Sequence, residues 1–222
     1  MRIVAVADTH LFVDDIVIPD GDVFIHAGDM CRRGDLEEIE QAAAWIASLP
    51  HRHKIVIAGN HDWLFAEDPK AARAVVSQFH YLEDSEIELE GLRFYGSPWQ
   101  PEFNDWAFNL PRGEPLAAVW RKIPRGIDVL ITHGPPDGIG DRSGMDARAG
   151  CADLRARVAE VAPRLHLFGH IHQDGGVWTH GSTVFANVTT WECERAPTVF
   201  EIDAQSVTPI EVPFHGRRDD DF

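Results

Sequence analysis

The chain predicts an α/β fold built on a largely parallel sheet, on two observations: apolar runs of strand length alternate with helical patterns, and each run ends where a polar cluster begins. Ligand sites of such sheets lie beyond the carboxyl ends of the strands, and the polar clusters sit there. At 222 residues with 44% hydrophobic content, the chain can bury a substantial core.

Residues 2–7 read as the first strand and run into Asp8-Thr9-His10. Residues 22–27 read as the second and run into Gly28-Asp29. Residues 35–49 form a helix: Asp35 and Glu38 make a D-x-x-E start, Leu36, Ile39, Ala43 and Ile46 share one face, and Pro50 stops it. Residues 54–58 are a third strand, leading into Gly59-Asn60-His61-Asp62, and residues 69–79 are helical. Residues 87–89 and 92–95 flank Glu90-Gly91 as a hairpin. The segment 97–109 is aromatic and proline-broken, with neither helix nor strand period. Strand 127–132 precedes His133-Gly134, helix 151–161 follows, and strand 165–168 leads into Gly169-His170-Ile171-His172. Residues 199–202 and 207–212 flank a last turn. These antiparallel pieces suit a second sheet packed on the first.

Composition excludes several classes. A formal net charge of −16 argues against a grip on long nucleic acid, whose sequence-independent binding needs Lys and Arg. No apolar stretch approaches the roughly 20 residues that cross a bilayer, and the N-terminus lacks a signal-peptide pattern, so no membrane partner and a cytoplasmic location are expected. Cys31, Cys151 and Cys193 are odd in number and far apart, which suits reduced packing residues.

The clusters supply three carboxylates, an amide and five imidazoles: Asp8, Asp29, Asp62, Asn60, His10, His61, His133, His170 and His172. That is the donor set for two adjacent divalent metals. Taken singly, Asp8 and Asp29 read as turn formers or caps, and Gly59-Asn60 as a tight turn. Jointly they do not, because independent turn formers have no reason to be histidine five times at strand ends. His170 and His172 stand two apart, so extended backbone would project both rings to one side. His26 reads as a hydrogen-bonded core histidine, and Asp137 and Asp141 as ordinary turn residues.

The order D-x-H, G-D, G-N-H-D, T-H-G and G-H-x-H, from Asp8 to His172, resembles the calcineurin-like metallophosphoesterase superfamily. The stretches 53–61, 81–85 and 95–99 are similar to its metallophosphoesterase-domain-containing (239AB-like) subfamily. The resemblance implies a four-layer α/β/β/α sandwich of two mixed sheets flanked by helices, as one domain over residues 1–214, with 215–222 an acidic frayed tail. It implies that Asp8, His10 and His172 hold one metal, that Asn60, His133 and His170 hold the other, and that Asp29 bridges them. Manganese, iron and zinc all suit such mixed N and O donors. The expected chemistry is attack on phosphorus by a hydroxide bridging the two cations.

The resemblance places His61 near the substrate as proton donor to the leaving group, with Asp62 orienting its imidazole; the alternative is that His61 only positions Asn60. The 28–34 loop resembles the G-D-x-x-D-R-G loop of serine/threonine protein phosphatases, except that Arg32 stands where the second aspartate would be. Arg33 is thus either a phosphate clamp or a solvated loop arginine. Trp106 either stacks on a nucleobase, an interaction worth about 1 to 3 kcal/mol, or packs within its own loop. The expected function is hydrolysis of small phosphodiesters such as cyclic nucleotides. The rivals are a broad phosphomonoesterase and a non-catalytic scaffold of the same fold.

Overall fold

Consecutive residues of the central strands alternate between two apolar clusters, and this period of two stacks the molecule in four layers. Ile3 and Ala5 point into the cluster between two sheets, while Val4 and Val6 point under helices on the outer face. Val129 and Ile131 do the same in the second sheet, with Leu130 on its opposite face. The computed structural model describes residues 1–144 and 147–213; the tail expected at 215–222 lies outside them.

The first sheet starts with β1 (Arg2–Val6), β2 (Val23–Ala27), β3 (His53–Ile57) and β4 (His80–Tyr81), all parallel. Helix α1 (Leu36–Ser48) connects β2 to β3, and α2 (Leu64–Glu67) and α3 (Pro69–Val75) connect β3 to β4. The chain then builds the second sheet from β5 (Ser85–Leu89) and β6 (Leu92–Ser97). A small pair, β7 (Gln100–Pro101) with β8 (Asn109–Leu110), and α4 (Glu114–Trp120) lead to β9 (Val129–Thr132). Helix α5 (Ala152–Val161), β10 (Leu165–Phe168) and the hairpin β11 (Gly176–His180) and β12 (Thr183–Asn187) complete that sheet. Finally β13 (Thr198–Ile202) and β14 (Val207–Ile210) return to the first sheet, antiparallel beside β1.

The sheet orders are β14-β13-β1-β2-β3-β4 and β11-β12-β10-β9-β6-β5. Both are mixed and flanked by helices, which is the arrangement expected. Helix α1 starts where the sequence indicates: Asp35 accepts from the Glu38 N–H at 3.0 Å, and Ile39, Ala43 and Ile46 are buried. Glu38 Oε2 also accepts from the N–H groups of Arg32, Arg33 and Gly34, which fastens the loop after Asp29 to the helix.

Several elements differ from expectation. Helix α3 stops at Val75, because Val76 (φ −92°, ψ 14°) leaves helical geometry. The hairpin β11–β12 and helix α4 are additional; the second begins with Pro115 in its first turn, a start signal that its short apolar stripe obscured. The segment 97–109 contains the β7–β8 contact, made by two residues on each side and too short to leave a period. Among the described residues, no helix is long and apolar enough to cross a membrane.

Candidate metal centre

Five strands from both sheets deliver their carboxyl ends to one place. The Asp8 N–H donates to Gly28 O at 3.0 Å, the His10 N–H to Asp29 O at 3.1 Å, and the Gly169 N–H to His133 O at 2.9 Å. To make these turns, Asp8, His10, Asp29 and His170 take left-handed backbone, with φ of 55°, 46°, 57° and 69°. Such conformations cost on the order of 1 kcal/mol or more each for a residue with a Cβ, and they gather where function over-determines the backbone. Loop packing is tight enough that a Cβ at Gly59 would collide with Asp29 Oδ1.

The ligand atoms form overlapping groups, each within 4.8 Å: Asp8 with His10 and His172, His10 with Asp29 and His61, and Asp29 with His133 and His170. Asp29 Oδ2 lies 3.3 Å from His133 Nε2 and 4.0 Å from His10 Nε2, so it faces both ends of the array. Asn60 Oδ1 stands 3.0 Å from His133 Nε2. His172 Nε2 is 3.7 Å from Asp8 Oδ1.

The donor chemistry fits divalent cations. His10 Nδ1 is 2.9 Å from Cys31 O, and His133 Nδ1 is 3.0 Å from Ala27 O. A carbonyl oxygen only accepts, so each Nδ1 carries the hydrogen and each Nε2 faces the carboxylates. Oxygens gathered around an Nε2 mark a place for positive charge, whether a proton or a metal.

His170 and His172 are not in extended backbone, so their two-residue spacing does not put both rings on one side. The left-handed His170 and a 3₁₀ turn over His172–Asp174 separate the rings, sending His172 to the Asp8 group and His170 to the Asp29 group. The His170 N–H donates to Asp8 Oδ2 at 3.0 Å, tying the two groups together.

Burial and charge oppose each other here. Burial alone would raise the Asp29 carboxyl, but His133, His10 and His61 together hold it well below the usual range. Burial would lower His133, yet the Asp29 and Asp8 carboxylates and the Ala27 carbonyl together outweigh it and push the imidazole up to about 9. His170 is brought down to about 4 by burial and by His133. The metal-free protein at pH 7.5 therefore holds His133 protonated, and metal binding must expel that proton. Calorimetric titration with Mn²⁺ or Zn²⁺ in buffers of different ionisation heat should detect release of at least one proton per chain, with affinity rising up to about pH 9. Buffer-independent heats at pH 7.5 would show that His133 is neutral before binding.

One expected role is corrected. Asp62 does not orient the His61 imidazole: its carboxylate accepts from the backbone N–H groups of Gly59 (2.8 Å), Asp29 (2.9 Å), Cys31 (3.0 Å) and Met30 (3.3 Å). Fully buried, it clamps the second and third site loops together. The His61 ring is instead fixed by Arg32 O, 2.7 Å from Nδ1, and the His61 N–H donates to Asp29 Oδ1 at 2.8 Å.

Arg33 is exposed, and its guanidinium makes no hydrogen bond or ion pair among the described residues. Trp106 packs on the His61 ring, with centroids 4.1 Å apart. His26 lies 2.9 Å from the Thr9 hydroxyl and, driven down to about 3 by burial, is neutral. Asp141 is buried, taking the N–H groups of Gly138 and Gly150 and the Arg148 guanidinium.

Sequence reading missed Arg32 and Arg195. Arg32 supplies its carbonyl to His61 and donates its Nε–H to His10 O at 3.1 Å. Arg195 donates to Gly175 O and Gln173 O, bracing the turn that carries His172. Arg32 departs from the loop motif it sits in, Arg195 stands in none, and backbone-directed contacts leave no side-chain signature.

The calcineurin-like phosphoesterase profile matches residues 1–174. Metallophosphoesterase domain-containing protein 1 of Homo sapiens is 42% identical over 221 residues, covering 88% of this chain and 68% of that protein. The UPF0046 protein C25E10.12 of Caenorhabditis elegans is 41% identical, covering 91% and 81%. Among solved structures, TT1561 of Thermus thermophilus matches with a TM-score of 0.62 at 13% identity, over 94% of this chain and 97% of that one. At that identity the likeness shows the fold alone.

Proposed function

Because this chain belongs to the calcineurin-like phosphoesterase family, whose members use divalent metals, we propose that it hydrolyses small phosphodiesters, cyclic nucleotides among them, with two such ions. The observation that carries this reading is Asp29, whose Oδ2 faces His133 Nε2 and His10 Nε2 at once. Asp8, His10 and His172 would hold one ion; Asn60, His133 and His170 the other; Asp29 is shared. Manganese, iron and zinc suit the mixed donors. Bound ions supply Lewis acidity at phosphoryl oxygen and a water that ionises near neutral pH.

The chain's own residues do the rest. Buried Asp29 and His133 keep bulk water from the donor atoms. His61, with Nδ1 held by Arg32 O, hands a proton from Nε2 to the departing oxygen. A net charge of −16 favours a monoanionic diester over a dianionic monoester. A reducing, cytoplasmic setting suits Cys31 and Cys151, which are buried thiols outside any disulfide.

Metal analysis of the purified protein, paired with rates on a bis(aryl) phosphate, an aryl monophosphate and cyclic nucleotides, tests the proposal. Metal-dependent diester cleavage is expected to dominate. Faster monoester cleavage would replace it with a phosphomonoesterase, and a metal-loaded protein inert on the panel would leave a non-catalytic scaffold.

A further inference from the structure

The geometry points to Trp106 as a positioning residue for His61 rather than a platform for the substrate, an inference that rests on the phosphoesterase reading above. The indole and imidazole centroids are 4.1 Å apart with planes at 37°, a packed contact rather than a passing one. The same imidazole meets the His10 ring nearly edge-on, at 4.6 Å and 75°. A histidine anchored only through Nδ1 to Arg32 O can still swing about that hydrogen bond, because its second torsion has broad wells. Packing against the indole removes that freedom.

Trp106 is itself held from behind. The Ala107 N–H donates to Asn60 O at 3.2 Å, so the residue after Trp106 is tied to the residue before His61. Gln100 Nε2 donates to Ala107 O and to Asn109 Oδ1, and Asn109 Nδ2 donates to Phe103 O and Asn104 O. Ala107 and Phe108 are buried. The loop is thus braced against the His61 turn, and its solvent-facing ring is Phe103, 63% exposed. A proton donor must reach the leaving oxygen at about 2.6 to 3.2 Å, and a misplacement of about 1 Å can cost on the order of 100-fold.

The test compares Trp106→Ala and Trp106→Phe with His61→Ala, each loaded with the same metal as the wild type. On a diester with an alkyl leaving group, Trp106→Ala should lower kcat by about 10- to 100-fold with KM within about twofold. On bis(4-nitrophenyl) phosphate, whose leaving group needs no proton, it should change little. Trp106→Phe should restore most of the loss, and His61→Ala combined with Trp106→Ala should be no slower than His61→Ala alone. A raised KM with unchanged kcat would instead make Trp106 a substrate platform and overturn the inference.

A second measurement does not need turnover. The His61 ring C–H resonances, assigned by their disappearance in His61→Ala, should be shifted upfield by the indole, and in Trp106→Ala should move downfield and broaden while Trp106→Phe keeps them sharp. Resonances unmoved in Trp106→Ala would overturn the inference. Wild-type protein inactive on every diester and monoester would sink the phosphoesterase reading alone, and the resonances would still decide whether Trp106 holds His61.

Discussion

His61→Ala is expected to lower kcat on a diester with an alkyl leaving group by about 10²- to 10³-fold while metal content stays at the wild-type level. An alkoxide is a poor leaving group that departs far more readily with a proton, and a positioned general acid contributes on that scale. Two hydrogen bonds fix His61 where the proposed proton delivery needs it: Arg32 O lies 2.7 Å from Nδ1, and the backbone N–H bond to Asp29 Oδ1 at 2.8 Å keeps the residue beside that carboxylate. On bis(4-nitrophenyl) phosphate, with a leaving group that departs as a stable anion, the same substitution should cost less than about tenfold. Steady-state rates on both substrates, with metal content measured on the same preparations, check this. Equal losses on both would remove His61 from proton delivery, and a lost metal would make it a ligand in the group it shares with His10 and Asp29.

Asp62→Ala should destabilise the protein by about 3 to 5 kcal/mol, a large share of the stability a domain has to lose. The carboxylate is the acceptor for four backbone N–H groups from two loops, and it is fully buried. Alanine leaves those donors without an acceptor. Burial, with the Asp29 charge, pushes the Asp62 carboxyl up to about 6, so at pH 7.5 it is ionised and purely an acceptor. For a chain of this size the loss corresponds to a fall in Tm of roughly 6 to 20 °C, readable by calorimetry. Asp62→Asn keeps the shape and one acceptor oxygen and should fall between the two. A Tm within about 2 °C of wild type for Asp62→Ala would show that water or rearranged backbone serves these donors instead.

Asp62 also shows why the site was only partly legible. From sequence, its place directly after His61 suggests a partner for that ring. The fold gives it N–H groups 31 to 33 positions away, at Cys31, Met30 and Asp29. Trp106 is a similar case: a proline-broken aromatic segment leaves the ring either on a nucleobase or within its own loop, and the tie from Ala107 to Asn60 sets it against His61. The pair His170 and His172 reads as one face of an extended strand until the left-handed turn at His170 divides it.

The sequence by itself determined the alternation of strands and helices and the residue types at each strand end, while the four-layer order came from the family resemblance. A period of two writes both faces of a doubly covered strand into Ile3, Val4, Ala5 and Val6, and a histidine or aspartate directly after such a run stands at the sheet's carboxyl edge whatever else happens. Only the tertiary structure decided which atoms meet. Pairings such as His170 with Asp8, 162 residues apart, depend on how two separately built sheets are offset and on turns whose φ no local spacing encodes. Side-chain identity is a property of the chain, whereas an approach of about 3 Å between two nitrogens or oxygens is a property of the packing that brings their backbones together.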